Sequence, residues 1–371
     1  MLTMPIPPHQ RQPHWTPLTG LNALHRAWTQ AALGKRSQPE VARFELNLGT
    51  ALLQLQAELR SGNYRPSGYR SFVIHDPKRR LVSAAPFRDR VVHHALVQAI
   101  EPLFEKHFIE HSYANRIGKG THKAIAQARQ WQCEHAHVLQ CDLRQFFPSV
   151  DHAVLLGALA RRITCPRTLV LCATVLRSGV GVLDGEYTPI SFPGDDLLAA
   201  ARPRGLPIGN LTSQFWANVL LNELDQFVTA ELGCAAYLRY VDDFLLFSDN
   251  KKQLWQWKAA IREKLNALRL SMHEASSTVY PVKNGIPWLG VRLLPQGVKL
   301  KTRNARAFSA RLRDMQAAIA AGQMPLKEAT WRINGWVAHA KQADSWALRR
   351  AIFEQALFIP PPQPTDEERD A

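Results

Sequence analysis

The 371-residue chain has no run of about 18 consecutive apolar residues, so no membrane-spanning helix is expected. Its opening residues, MLTMPIPPHQRQPHW, lack the apolar stretch of a secretory signal, and a cytoplasmic location is the expectation. Cysteine is scarce. Five residues (Cys133, Cys141, Cys165, Cys172 and Cys234), odd in number and scattered, do not make a disulfide framework and read as reduced thiols of a core. Cys133 followed by His135 and His137 fits no zinc spacing. Acid is in deficit, with 31 Asp and Glu against 46 Lys and Arg. A net charge of +15 on a chain of this size favours a polyanion as partner. What is abundant is apolar residues, 46% of the chain, which suits a globular protein with a sizeable core.

Residues 1–20 are rich in proline and polar residues and read as irregular. Phe44, Leu48, Leu52, Leu55 and Leu59 recur at helical spacing and predict one helix over 41–60, stopped by Gly62. An extended stretch at 69–74 leads into the basic turn Asp76-Pro77-Lys78-Arg79-Arg80, and a helix follows over 88–107. Residues 138–143 read as a buried strand, with a helix starting near Val150, and 177–205 as a loop carrying Asp195 and Asp196. A long helix is predicted over 213–232, then two short apolar runs at 237–240 and 244–247 in a hairpin pattern. Beyond them come a basic helix over 251–269, a strand pair at 288–293 and 298–301, and a helical region over 303–356. The tail from Ile359 is proline-rich, then charged, and reads as disordered.

Three carboxylates stand out against this background. Asp142 interrupts the apolar run VLQCDL, and a buried carboxylate needs a cation or a hydrogen-bonding partner. Asp242 and Asp243 lie side by side near the hairpin tip in YVDDFLLF, where a divalent ion would relieve their repulsion. If the hairpin lies beside the strand of Asp142, the side chains can converge on a pair of Mg²⁺ ions, which prefer hard oxygen ligands and phosphates.

With these residues in place, the chain resembles reverse transcriptases from about residue 50 to 355, in the family's motif order. LQCDLRQFFPSV is similar to the first catalytic motif, RGLPIGNLTSQFWANVLLNELDQF to the template and nucleotide motif, YVDD to the metal motif and PWLGV to the primer grip. PKRRLVSAAPFRDRVVHHAL and YANRIGKGTHKA resemble the fingers motifs. The resemblance implies a mixed α/β (α+β) right-hand polymerase. Residues 1–40 would be an N-terminal extension and 41–300 fingers and palm, the palm a small antiparallel sheet flanked by helices. Residues 301–358 would be a helical thumb and 359–371 a disordered tail.

The resemblance also implies roles. Asp142, Asp242 and Asp243 would be catalytic, holding two Mg²⁺ ions (or Mn²⁺ in their place) with the backbone carbonyl of Leu143. Phe147 would be the steric gate against a ribose 2′-hydroxyl, disfavouring an RNA-dependent RNA polymerase, with Phe146 in the core. Lys78 and Arg80 would neutralise the incoming triphosphate, with Arg79 an alternative in register. Ile208, Gly209 and Gln214 would border the nucleotide. Arg116 and Lys119, and the grip residues Trp288, Leu289 and Gly290, would meet template and primer. Arg303, Arg306, Arg311 and Arg313 would follow the duplex through phosphate contacts, while Trp331 and Trp336 would pack helices together. Template RNA, a DNA or RNA primer and dNTPs would be the partners, and no membrane.

Ile208-Gly209 stands where most reverse transcriptases carry Gln-Gly, and with Ser213-Gln214 it resembles the enzymes of diversity-generating retroelements. Those copy a template RNA with errors opposite adenine and work with a small basic accessory protein. Two other readings stay open: a reverse transcriptase of a bacterial antiphage defence system, and an RNA-binding, maturase-like protein with idle chemistry. The family's lysine after the metal hairpin has no counterpart at the expected position, and Lys283 comes too late for it. Ala275 and Ser276 stand near its place, and His273 is a substitute without an assigned role.

Overall fold

The computed structural model describes residues 15–75, 79–196, 198–354, 356 and 358–359. Lys78 and all but the first residue of the expected tail lie outside the described residues. The strands are β1 (Arg70–Ile74), β2 (Arg80–Ala84), β3 (His137–Asp142), β4 (Tyr237–Tyr240), β5 (Asp243–Ser248), β6 (Thr278–Pro281), β7 (Ile286–Trp288), β8 (Val291–Leu294) and β9 (Gly297–Leu300). They form an antiparallel hairpin β1-β2, a four-stranded sheet in the order β4-β5-β3-β6 and an antiparallel sheet β7-β8-β9. This is a mixed helix and sheet fold with small sheets. No helix among the described residues is long and apolar enough to cross a membrane.

The chain divides into two compact units. The first takes residues 1–119, 139–246 and 255–278, and the second 120–138, 247–254 and 279–371. In the first, the helix Phe87–Glu105 is the hub. Its buried side chains Val91, Val92, Ala95, Leu96 and Ile100 pack against the helices Leu21–Ala32 and Leu211–Gln226. Leu211–Gln226 is buried on most sides, and its enclosed residues include the polar Thr212, Ser213, Asn218 and Asp225. It continues into a wider π-helical turn at Phe227–Glu231, where the sequence predicts regular helix to 232.

Two further expectations differ in the structure. The predicted helix over 41–60 is two helices, Pro39–Leu46 and Leu48–Ser61, broken at Asn47. Asparagine's side chain competes with helical backbone bonds, and Leu46 is left 83% exposed by the break. The second helix stops where expected, at Gly62, which adopts φ 77° and donates to the Glu58 and Leu59 carbonyls. The start of the extension is not wholly irregular, since Trp15–Leu18 is a short helix with Trp15 and Leu18 buried. The helix expected near Val150 begins at His152, capped by the Asp151 carboxylate on the Ala153 and Val154 N–H groups at 2.9 and 3.0 Å.

The loop at 177–205 is tied down by charge. Arg202 grips Asp151, Arg269 grips Asp195, and the Leu206 N–H donates to the Phe147 carbonyl at 2.8 Å.

The second unit holds the helix Thr121–Glu134, the sheet β7-β8-β9 and three C-terminal helices, Thr302–Ala320, Leu326–Ala340 and Trp346–Glu354. Phe308, Leu312, Met315, Ile319, Ala329, Trp336 and Ala340 form its core. Trp336 lies flat on Phe308 at 3.8 Å and 2°. Trp331, expected to pack in the same way, is instead 65% exposed.

Candidate active site

The strand end that carries Asp142 is fixed from one side. The Asp142 carbonyl accepts from His273 N–H at 2.8 Å, and Arg144 N–H donates to the Ser271 carbonyl at 2.8 Å. Leu143 faces Met272 between these two bonds, neither of which uses the Leu143 carbonyl. The Asp142 N–H reaches Ser277 Oγ at 3.4 Å. Buried Lys258 holds that segment through the Ser277 carbonyl (2.7 Å) and Glu274 (2.9 Å).

Asp242 sits on the β4-β5 hairpin. Tyr240 pairs with Asp243, so Val241 and Asp242 form a two-residue loop. Val241 takes φ 57°. A β-branched side chain in the left-handed region is strained by on the order of 1–3 kcal/mol and persists only where its surroundings hold it. The Asp242 carboxyl is pushed up to about 6, by burial first and also by the charge of Asp142. Its own backbone N–H, Arg80 and Arg239 pull the other way.

The structure thus brings Asp142 and Asp242 within each other's field, with Arg80 close enough to act on Asp242. Asp243 follows at the start of β5, half-buried. Among the described residues no three His, Cys, Asp or Glu side chains gather into a metal-sized cluster. The donor set that does meet is a carboxylate pair without sulfur or imidazole, half-buried and mutually repelling. That chemistry fits a hard divalent cation.

Arg80 opens β2 and is exposed. Arg79, its neighbour in register, is engaged by Glu186 at 2.8 and 3.0 Å. Phe146 is buried and Phe147 half-buried, edge-on at 5.2 Å. Ile208 is half-buried, and its carbonyl accepts from Ser83 N–H at 2.8 Å. Gly209 has φ 109°, and a Cβ there would lie 2.9 Å from Val82 Cγ1, so the close approach of β2 requires glycine. Gln214 is exposed on the first turn of Leu211–Gln226.

Two of the expected template contacts are placed differently. The Arg116 guanidinium bonds Glu105, the Ile109 carbonyl at 2.6 Å and the Ser112 carbonyl at 2.9 Å, and lies over Phe108. Its side chain is 6% exposed. Lys119 bonds the Glu110 carboxylate and carbonyl and lies over Tyr113. Both cations brace their own loop.

In the second unit, Trp288 is 1% exposed and fills the core, so it offers no ring to a primer. Leu289 (φ 44°) and Gly290 (φ 85°) form the β7-β8 turn. Asn304 Nδ2 donates to the Gly290 carbonyl at 2.9 Å.

Sequence reasoning missed three polar residues. Asn210 bonds Ala85 N–H (3.0 Å), the Ser83 carbonyl (2.8 Å) and the Pro207 carbonyl (3.0 Å). Asp225 and Arg239 form a fully buried ion pair. For Arg239 the signal was available, since it is a lone charge in the apolar run YLRYV, the same argument that picks out Asp142; Asp225 shares the polar stretch LNELDQF with Glu223 and carries no such mark.

The comparisons with known proteins bear on this geometry. A family model described as "Reverse transcriptase (RNA-dependent DNA polymerase)" matches residues 75–293. The chain is 27% identical over 293 residues to Protein YkfC of Escherichia coli, covering 67% of this chain and 73% of that protein. It is 24% identical over 173 residues to the group II intron-encoded protein LtrA of Lactococcus lactis, covering 46% of this chain and 27% of that one. Among solved structures, apo telomerase from Candida tropicalis aligns with a TM-score of 0.48 at 12% identity, covering 68% of this chain and 53% of that one.

Proposed function

The chain belongs to the reverse transcriptase (RNA-dependent DNA polymerase) family, and we propose that it extends a DNA or RNA primer with dNTPs along an RNA template, using Asp142 and Asp242 as its principal acidic groups. The observation that carries this is placement: β5 lies beside β3, so Asp242 on the β4-β5 loop and Asp142 at the end of β3 feel each other's charge, with Arg80 within range. Mg²⁺, or Mn²⁺ in its place, would be held by Asp142 and Asp242, assisted by Asp243 and the Leu143 carbonyl. When bound, two such ions supply Lewis acidity that makes the primer 3′-hydroxyl a better nucleophile and balances charge on the departing pyrophosphate. Arg80, with Lys78, neutralises the triphosphate. Phe147 excludes a ribose 2′-hydroxyl by bulk. Ile208 and Gly209, pinned to β2, border the nascent pair, and Gln214 lies one turn on.

The test is extension of a primer on RNA with dNTPs and Mg²⁺. Wild type should extend and Asp242→Ala should lose nearly all activity. Full extension by Asp242→Ala defeats the reading.

The finer reading is the error-prone enzyme of a diversity-generating retroelement, working with a small basic accessory protein. Ile208 supports it, because isoleucine offers no side-chain amide near the pair. Ile208→Gln should then lower misincorporation opposite template adenine. Equal error rates for the two proteins count against it. The similarity to LtrA supports a second reading, an RNA-binding, maturase-like protein. Under that reading Asp242→Ala keeps tight RNA binding and biological function while losing extension. A role in antiphage defence uses the same site, and an Asp242→Ala strain that loses phage protection would point to it.

A further inference from the structure

We propose that Arg239, clamped by Asp225, is a positioning residue that holds the strained Val241 turn in shape and so presents the Asp242 carboxylate; the proposal rests on the polymerase reading above. Arg239 is 0% exposed. A guanidinium has five N–H donors, and each finds an acceptor. Nε and Nη2 fork onto the two Asp225 oxygens at 2.7 and 2.6 Å. Nη2 also reaches Ser112 Oγ at 3.1 Å, and Nη1 reaches Asn218 Oδ1 at 3.1 Å. The fifth bond, from Nη1 to the Val241 carbonyl at 3.0 Å, leads into the catalytic turn.

The acceptors are themselves fixed. Asp225 Oδ1 takes the Tyr237 hydroxyl at 2.7 Å, and Asn218 Nδ2 donates to the Ala114 carbonyl at 2.8 Å. The Arg239 backbone is bonded on both sides as well, its N–H to the His111 carbonyl and its carbonyl to Tyr113 N–H, each at 3.0 Å.

A buried ion pair is weak grounds for a purely stabilising role, since apolar residues of similar volume often serve as well. The feature an apolar pair cannot reproduce is the directional bond to the Val241 carbonyl. Val241 needs such a bond because a β-branched residue does not settle at φ 57° unaided. Lysine would keep the charge opposite Asp225 but has no planar fork to reach Val241, Asn218 and Ser112 together.

The experiment compares wild type, Arg239→Lys and the double variant Arg239→Met/Asp225→Leu, each alone and combined with Val241→Gly. Circular dichroism and thermal unfolding report the fold. Primer extension separates kcat from the dNTP KM. Titration of Mn²⁺ into the nucleic-acid-free protein, followed by electron paramagnetic resonance, gives cation affinity independently of activity. Folded Arg239→Lys should lose roughly 10–100-fold in kcat and in Mn²⁺ affinity, with dNTP KM nearly unchanged. The double variant should fold and show the same loss. Glycine adopts a positive φ at no cost, so with Val241→Gly as the background the loss from Arg239→Lys should shrink to severalfold.

Normal kcat and Mn²⁺ affinity in a folded Arg239→Lys or in the folded double variant overturn the proposal. So does an equal loss in the valine and glycine backgrounds. If wild type extends no primer, the polymerase reading falls, and the Mn²⁺ titrations alone still decide whether Arg239 positions Asp242.

Discussion

Asn210 ties the start of the helix Leu211–Gln226 to the strand that carries Arg80, and its removal should loosen both. Its side chain is buried and makes three hydrogen bonds, accepting from Ala85 N–H at 3.0 Å and donating to the Ser83 and Pro207 carbonyls at 2.8 and 3.0 Å. Asn210→Ala leaves one buried donor and two carbonyls short of a partner. At about 1–3 kcal/mol for an unsatisfied buried group, less for carbonyls that find a second donor, the sum is about 3 kcal/mol. Asn210→Asp is the sharper perturbation because it conserves volume. One oxygen still accepts from Ala85, but the other faces two carbonyls to which an ionised carboxylate cannot donate. Asn210→Asp should therefore cost at least as much as alanine, about 3 kcal/mol or more at neutral pH. The introduced carboxyl would have its folded pKa raised. Its contribution is therefore fully present below the unfolded pKa and lost as pH rises through the folded one, so this variant recovers stability on acidification and the alanine variant does not. Urea unfolding at two pH values measures the order, and hydrogen exchange over residues 80–86 localises it. If Asn210→Asp matches wild type at neutral pH, or exchange at Ser83 and Ala85 is unchanged, the three bonds do not hold β2 and the reasoning fails.

The two tryptophans of WRINGWVAHA should separate cleanly. Trp336→Ala removes a ring stacked on Phe308 and edge-on to Phe353 and should destabilise by about 3–5 kcal/mol, while exposed Trp331→Ala should stay within about 0.5 kcal/mol. Equal unfolding midpoints for the two would contradict that assignment. His93 is buried, neither ring nitrogen has a hydrogen-bond partner among the described residues, and burial lowers it to about 4 although Asp89 pulls the other way. A depressed histidine adds stability that is present above its unfolded value of about 6.5 and lost as pH falls through the folded one, at most about 3 kcal/mol. His93→Leu should flatten acid unfolding between those two values, and an unchanged acid limb would remove His93 as its cause. Phe147→Ala should admit ribonucleotides at least about tenfold better relative to dNTPs; single-nucleotide extension with matched rNTP and dNTP reads this directly, and unchanged discrimination would return Phe147 to ordinary packing.

Much of the fold is legible in the sequence because apolar side chains must share a face. The helices Phe87–Glu105 and Leu211–Gln226 fall within about two residues of their predicted starts, an error ordinary for helix ends. The break at Asn47 was hidden because Phe44, Leu48 and Leu52 stay four residues apart across it. The strand pair predicted at 288–301 is three strands, since the turn at Leu289-Gly290 carries no proline and only one glycine to mark it. The intrachain partners of Arg116 and Lys119 were hidden for another reason. Their partners Glu105 and Glu110 lie 11 and 9 residues upstream on a path that no helical or strand spacing predicts.

Charge buried in protein therefore sorts into two kinds here, and the distinction is chemical. Asp151 and Asp195 meet arginines and backbone N–H groups, which hold their carboxyls below the usual range even though burial pushes Asp151 the other way. Asp225 is enclosed as deeply, and the Arg239 fork and the Tyr237 hydroxyl take both its oxygens. These carboxylates are complete within the chain. Asp242 differs in balance: burial and the charge of Asp142 raise it by more than its own backbone N–H, Arg80 and Arg239 lower it. A folded state that holds the raised Asp242 carboxyl beside Asp142 gives up stability as pH rises through about 6, because that carboxyl must ionise beside its neighbour. On the reading proposed above, a divalent cation would remove that cost by binding the ionised pair. Added Mg²⁺ should thus raise the thermal midpoint more at pH above 6 than below it, and Asp242→Asn should abolish the difference. A Mg²⁺ effect independent of pH would mean that the ion binds elsewhere.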